Sequence, residues 1–214
     1  MSEPESGAGA RLNALVAEAE LAPLTAEELR RFKIYLSLYL RWNARLNLSS
    51  VRDEEDILSR HFVESIACAQ ALPAGIRTLL DFGSGAGLPG ISIALSRPEI
   101  AVTLAESQGK KAAFLQEAVR VLGIPAAVYA GRAESIAATF DCVTLRAVDR
   151  MPQAVKAAAR LIAPGGWLVL MTTRGELPAL QAAAGTEFSW PETVDLPGSK
   201  ERVLALGELR IVGL

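Results

Sequence analysis

Histidine occurs once in this 214-residue chain and cysteine twice. No pair of these residues has the spacing of a zinc site, so no metal is expected. Cys68 and Cys142 sit in separate apolar stretches and are expected as buried free thiols. Aromatic residues make up only 6% of the chain, which argues against a stacking platform for long single strands. No apolar run approaches the roughly 20 residues that a membrane helix needs. The first residues are small and polar, without an apolar run behind a basic start, so no signal peptide is expected. A net charge of −2 gives no global attraction to nucleic acid or to membranes. Any nucleic-acid contact must come from a local patch. Repeats and low-complexity tracts are also missing. Together these absences predict a reducing, cytoplasmic setting.

What remains is ordinary in bulk and specific in detail. Half the residues are hydrophobic and 21% are charged, as in many globular domains. The length suits one core, or a core with a small appendage. Residues 1–75 read as a helical extension. Helices are expected from Arg11 to Glu20, from the Thr25-Ala-Glu-Glu28 capping box through Leu46, and from Asp53 to Leu72. Pro73 and Gly75 then break the chain. From residue 76 to 214 the texture changes. Strand signals at 77–82, 101–106, 126–130, 140–145 and 166–172 alternate with helical stretches at 87–96, 109–122, 133–138 and 150–162. This alternation predicts βαβ units and a parallel sheet. A helix over Leu177–Ala184 follows, then strands at 186–196 and 201–206, adjacent in sequence and so antiparallel candidates.

The stretch Leu79-Leu-Asp-Phe-Gly-Ser-Gly-Ala-Gly-Leu-Pro-Gly90 carries most of the functional signal. It reads as a buried strand running into a turn too tight for side chains, with Pro89 in the first turn of a helix. A nucleotide-like ligand fits such a loop, although a bare glycine pattern serves several cofactors. Asp81 precedes the first glycine by two residues, where a dinucleotide enzyme would more often carry an apolar or small one. Glu106 ends the second strand, where a ribose-binding carboxylate falls. S-adenosyl-L-methionine has an adenosine and a cationic sulfonium but no phosphate, so an acidic loop suits it better than a dinucleotide. Asp81 has a plainer reading, in which it only ties down its own turn. Pro164-Gly165-Gly166 reads as a helix-terminating turn before the fifth strand.

Further pieces recur in order along the chain. They are Trp42-Asn43 with Asn47-Leu48, Arg60-His61 with Glu64-Ser65, and Asp81 through Gly90. Glu106-Ser107 with Lys110-Lys111-x-x-Phe114-Leu115 comes next, then Arg132-Ala133-Glu134, Phe140-Asp141 and Arg146-Ala147. On these residues the chain resembles the bacterial small-subunit ribosomal RNA guanine-N7 methyltransferases, the RsmG or GidB family. The resemblance implies a Rossmann-like class I methyltransferase of the α/β class. Its sheet would be seven-stranded and mostly parallel, with an antiparallel C-terminal strand and an N-terminal helical cap. It implies S-adenosyl-L-methionine as cofactor, S-adenosyl-L-homocysteine as product, and a guanine in the 530 loop of 16S rRNA as target. The rRNA would be met free or within the small ribosomal subunit, by a monomer without a membrane partner.

By motif position, Asp81, Gly83, Gly85 and Leu88 are implied cofactor contacts in the first loop. Glu106 resembles the ribose ligand, and Ala133 with Glu134 the pair that holds adenine through backbone groups. Arg146 resembles a residue close to cofactor and base, with a positioning role; its plainer reading is a salt bridge to Asp81, Glu134 or Asp149. Two positions depart from the family. Glu64 stands where Asp is usual, a change expected to be tolerated. Arg174-Gly175 stands where Lys-Gly is usual, which alters phosphate geometry and leaves the role of Arg174 open.

Guanine N7 carries no proton, so its attack on the methyl group is an in-line displacement that needs no general base. The chain shows no Asp-Pro-Pro-Tyr or Asn-Pro-Pro-Tyr signature of amine methylators, and Cys142 is not in a Pro-Cys motif. His61 is therefore expected in a structural or RNA-contact role. Trp42, Asn43 and Asn47 are expected to pack the cap on the main domain. Arg30, Arg31, Lys33, Arg41, Arg45 and Arg52 read either as a solvated helix face or as an RNA-facing surface, joined by Lys110, Lys111 and Arg174. Three other readings stay open: a nicotinamide-dependent oxidoreductase, a non-catalytic RNA-binding protein of methyltransferase shape, and a small-molecule methyltransferase.

Overall fold

The computed structural model describes residues 7–46, 48, 49, 51 and 53–211. Asn47 and Arg52, singled out above, lie outside them. Seven strands form one sheet in the order β3-β2-β1-β4-β5-β7-β6. The first five are β1 (Thr78–Phe82), β2 (Ala101–Ala105), β3 (Ala126–Tyr129), β4 (Phe140–Arg146) and β5 (Ile162–Thr173), and their neighbours pair in parallel. The last two are β6 (Phe188–Asp195) and β7 (Arg202–Leu209). β7 runs antiparallel to both β5 and β6. The expected architecture is therefore present, with its antiparallel end. Among the described residues, no helix is long and apolar enough to cross a membrane.

Helices cover both faces of the sheet. α1 (Ala8–Glu18) and α2 (Ala26–Leu46) come first. α3 (Glu54–Asp56), a π-helical segment (Ile57–Val63) and α4 (Glu64–Ala71) run on as one winding. α5 (Gly90–Ser96) follows β1 and α6 (Gly109–Leu122) follows β2. These elements share one apolar cluster with one sheet face, through Leu79, Leu104, Cys142 and Leu204. α7 (Met151–Ala159) and α8 (Leu177–Ala184) bury the other face over Leu80, Phe82, Val143 and Leu170. Alternate residues of each strand thus enter opposite cores, as a pleated strand covered on both sides requires. Both cysteines are buried free thiols.

Local chemistry explains most of the helix boundaries. The Thr25 Oγ1 accepts the Glu28 N–H at 3.2 Å while a Glu28 carboxylate oxygen accepts the Thr25 N–H at 2.8 Å, the reciprocal pair that starts α2. Asp53 accepts the Asp56 N–H at 3.1 Å and opens the next winding. Two expectations need correction. The helix from Asp53 is not α throughout, because its middle is π-wound from Ile57 to Val63. The Pro164-Gly165-Gly166 turn does not terminate a helix. α7 has already stopped at Ala159, and the turn forms a bulge inside β5. Phe140 pairs with Ile162 but Cys142 pairs with Trp167, so extra β5 residues must loop out. Pro164 has no N–H for the ladder, and Gly165 takes a φ of 74°, which suits that excursion.

Candidate functional site

A cleft of about 750 Å³ opens at the C-terminal edge of the parallel strands, where ligands bind in folds of this kind. Its floor is the glycine loop after β1, with Gly83, Gly85 and Leu88 in the lining. Gly83 has a φ of 73° and Gly85 of 55°, a backbone region costly for other residues. Ser84 fixes the turn, donating its hydroxyl to the Asp81 carbonyl at 2.9 Å and its N–H to the Ala105 carbonyl at 2.9 Å. From α2, the Tyr35 hydroxyl donates to the Ala86 carbonyl at 2.6 Å.

Asp81 does not line the cleft. It is 1% exposed, beneath the loop. One carboxylate oxygen accepts the Thr144 hydroxyl at 2.9 Å, and the other accepts the Gly90 N–H at 3.3 Å. Thr144 is its register partner across β4, so the bond follows from strand pairing. Burial raises the Asp81 carboxyl to about 6, against the opposing pull of Thr144 and Ser84. The plainer reading of Asp81 describes its contacts: it ties down the turn and supplies an anion at the start of α5. Gly90 is obligatory beside it, because a Cβ there would lie 2.6 Å from an Asp81 oxygen and 2.4 Å from Leu104 Cδ2.

Glu106 does reach the cleft, at the tip of β2. Its carboxylate accepts the Gly85 N–H at 2.9 Å and the Gln108 N–H at 2.7 Å. These two amides hold it at the rim with lone pairs left for a diol. Ala133 and Glu134 line the same end, on a 3₁₀ turn (Ala133–Ser135) after β3. Lys111 lines the cleft at the start of α6, whereas Lys110 is exposed outside it. Arg174 is remote from this lining. It follows β5 and pairs on the surface with Asp195 of β6.

The opposite end is built from side chains. Arg146, at the tip of β4, is only 15% exposed and spends its donors on the protein. One terminal nitrogen reaches the Ser65 hydroxyl at 3.1 Å and the His61 carbonyl at 3.4 Å. The other reaches the Glu64 carboxylate at 2.8 Å, His61 Nδ1 at 3.3 Å and the Arg60 carbonyl. Its ion-pair partner is therefore Glu64, not Asp81, Glu134 or Asp149. Glu64 is 1% exposed and also accepts Arg202 Nε from β7 at 2.6 Å. The carboxylate is buried between two guanidiniums, which offsets the cost of removing its charge from water. Burial, with Arg146 and Arg60 adding to it, lowers the His61 imidazole to about 4, so the ring is neutral near pH 7. Its Nε2 lies 3.0 Å from the Ser49 hydroxyl, and both residues line the cleft.

Ser49, Tyr35, Thr144 and Arg202 escaped sequence reasoning. A polar Thr144 inside an apolar strand was a usable signal for its partnership with Asp81. Arg202 offered none, since it meets Glu64 from 138 residues away. Trp42 packs as expected, edge-on to Phe114 with centroids 5.7 Å apart, and donates to Glu117 at 3.1 Å. Asn43 accepts the Ser49 N–H at 2.9 Å and donates to the Val51 carbonyl at 3.2 Å, which shapes the loop over the cleft. Much of the basic group on α2 is ion-paired. Arg30 and Arg31 pair with Glu27, and Arg41 pairs with Glu117.

The arrangement suits a ligand with a vicinal diol at one end and a cation near the loop. No group of three or more His, Cys, Asp or Glu that could hold a metal occurs among the described residues. The model of the GidB family, rRNA small subunit methyltransferase G, matches residues 28–194. A "Ribosomal RNA small subunit methyltransferase G" of Xanthomonas campestris is 40% identical over 184 residues, covering 85% of this chain and 83% of its own. The Stenotrophomonas maltophilia protein of that name is 39% identical over 170 residues, covering 77% and 78%. Among solved structures, a SAM dependent methyltransferase from Aquifex aeolicus shares the fold at a TM-score of 0.57 and 16% identity, over 72% of this chain and 93% of its own. The N-methyltransferase NodS of Bradyrhizobium japonicum, solved with S-adenosyl-L-homocysteine, aligns at a TM-score of 0.54 and 16% identity, over 81% and 96%. This chain belongs to the rRNA small subunit methyltransferase G family.

Proposed function

We propose that this protein transfers the methyl group of S-adenosyl-L-methionine to N7 of a guanine in the 530 loop of 16S rRNA. One observation carries the choice of cofactor. The start of α5, where a dinucleotide would set its pyrophosphate, is already capped by the buried Asp81 carboxylate. A second anion there would be repelled, whereas a sulfonium is attracted. That disfavours the nicotinamide reading. Glu106 would take the ribose hydroxyls, with Ala133 and Glu134 beside the adenine and Gly83, Gly85 and Leu88 against the remainder. When bound, the cofactor supplies an electrophilic methyl group.

The chain's own contribution is orientation and exclusion of water. In-line alignment of two bound partners contributes several kcal/mol, up to roughly 7–11 in the best cases. Both nitrogens of His61 are engaged, Nδ1 by Arg146 and Nε2 by Ser49, so it is not poised as a base. Guanine N7 needs none. Arg146 is better described as a positioning residue than as a base contact, because its terminal donors are occupied. Lys111 at the rim and Lys110 beside it face the approach of phosphates. Arg174 would touch RNA only at the periphery. Residues 1–75 act as the cap that closes the base end, and the protein works as a cytoplasmic monomer on assembled small subunits. The test is incubation with labelled cofactor and small subunits lacking the modification, with the methyl group mapped by mass spectrometry. Label on N7 of a 530-loop guanine is the expected result. Label on another base, or none, would overturn the proposal.

A further inference from the structure

Two helices carry charge of one sign away from the cleft. α2 has no acid between Leu29 and Leu46, and α6 has one, Glu117. The helices run antiparallel: Trp42 meets Phe114, Arg41 pairs with Glu117, and Leu38 shares a groove with Val121. That groove holds about 540 Å³, with Lys33, Arg41 and Arg120 along its sides and Ile34, Leu38 and Val121 among its apolar lining. Helical spacing extends the seam toward the cleft. Arg45 lies one turn beyond Arg41 and Lys110 one turn before Phe114, so the antiparallel register sets these two cations opposite each other. The next residue, Lys111, lines the cleft itself. The seam therefore starts at the cleft rim and runs about 15 Å along α6, from Lys110 to Arg120.

A solvated helix face ordinarily mixes signs. The first turns of α2 do so, with Glu27 paired to Arg30 and Arg31. The seam does not. Arg41 has its acid partner, whereas among the described residues Lys33, Arg45, Lys110 and Arg120 have none. All four are exposed. Like charges side by side repel, so the fold carries this row at a small cost, in a chain whose net charge is −2. A bound polyanion removes that cost. Resting on the methyltransferase reading above, we infer that the α2–α6 seam is a second RNA contact, which holds the phosphates of the strand that flanks the target base outside the cleft. Phosphates recur about every 3.4 Å of axis along one strand of a duplex, so a seam of this length meets several of them. Contacts to phosphate fix position and leave the choice of base to the cleft.

Arg45→Ala, Arg120→Ala and the double variant test this on small subunits lacking the modification, in binding titrations and methylation assays over a range of salt. Lys156→Ala, on α7 across the sheet, removes an equal charge elsewhere. The log–log salt slope of subunit affinity should flatten by about 0.7 for each seam cation removed. KM for subunits should rise about three- to ten-fold in the double variant, while kcat at saturating subunits and affinity for S-adenosyl-L-homocysteine stay at wild-type values. Lys156→Ala should change neither slope nor KM. A wild-type slope in the seam variants would overturn the assignment, as would a raised KM with no change of slope, or an equal flattening in Lys156→Ala. So would competition by a polyglutamate peptide but not by a 530-loop RNA fragment, which would give the seam to a protein partner. The titrations need no catalysis, so they judge the seam even where no methyl group is transferred. Wild type that binds subunits through the seam yet methylates nothing would instead bring down the functional reading alone.

Discussion

The two ends of the cleft are built in different ways. The Glu106 end is made of backbone turns and one carboxylate, from segments that follow β1, β2 and β3 in order. The His61 end is made of side chains gathered from far apart: Ser49, His61, Glu64, Arg146 and Arg202. One end relies on glycine conformations and amide donors, the other on a buried charge network. The first end depends on local chain geometry, the second on side chains that only the fold brings together.

The largest effect is expected from breaking the side-chain end. Arg146→Met leaves Glu64 with Arg202 alone, and stripping one partner from a buried pair costs about 3–5 kcal/mol. For a chain of this length that corresponds to a loss of roughly 6–20 °C in thermal midpoint. A midpoint within a degree or two of wild type would show the network to be a surface-like pair.

Acid sharpens the comparison further. The unfolded chain protonates His61 at 6.5, the folded one only at about 4, so His61 withdraws stability as pH falls between those values. Asp81 acts with the opposite sign. Its folded carboxyl takes a proton at about 6 and its unfolded one at 3.8, so it adds stability as pH falls through the same window. The two nearly cancel in the wild type. Asp81→Asn removes one side, and the variant should lose up to about 3 kcal/mol relative to wild type between pH 6 and 4. Parallel denaturation curves across that window would refute the assignment.

Breaking the other end should weaken binding and also loosen the glycine loop, because the Gly85 and Gln108 amides lose their acceptor. On the proposed reading Glu106→Ala removes a charge-assisted contact to the ribose, worth about 1.5–3 kcal/mol, so calorimetry with S-adenosyl-L-homocysteine should show a ten- to hundred-fold weaker Kd. The smallest effect is expected from Arg174→Ala. Its pair with Asp195 is more than half exposed on both sides, and stability should move by no more than about 0.5 kcal/mol.

The same contrast decided what could be read in advance. The glycine loop, Glu106 and the strand–helix alternation are local patterns, and the α6 and α8 boundaries fell where periodicity put them. The Thr25 capping box also needs only adjacent residues. Arg146 could be placed on its strand tip, yet its partner could not be chosen, because Glu64 lies 82 residues away on a different element. Asp81 stands out in the sequence as an acid beside the glycine loop, but nothing local tells that its side chain is buried beneath that loop. Only the register of β1 against β4 shows that Thr144 and the Gly90 amide hold it below the loop. The π-wound stretch has no periodicity of its own to betray it, since its apolar residues also fit an ordinary helix. The β5 bulge hid behind a Pro-Gly-Gly turn that would serve a helix end equally well.

A π-wound stretch closes its hydrogen bonds five residues apart, so it behaves as an α-helix holding one surplus residue. That surplus sets the angular phase between the two flanking helical segments. Phe62 points into the aromatic cluster with Tyr35, 5.0 Å between centroids, while the neighbouring His61 turns to the cleft. The π-wound segment itself packs on α1, Arg11 of α1 pairs with Glu55 just before it, and α4 after it packs on α5. Deleting one residue between Ile57 and Val63 would let a regular helix run through, and would swing one flank by about 100° against the other. The straightened helix would be better bonded along its own axis. It would seat either its upstream or its downstream neighbours correctly, never both, and the imidazole would lose its bearing on the strand tip.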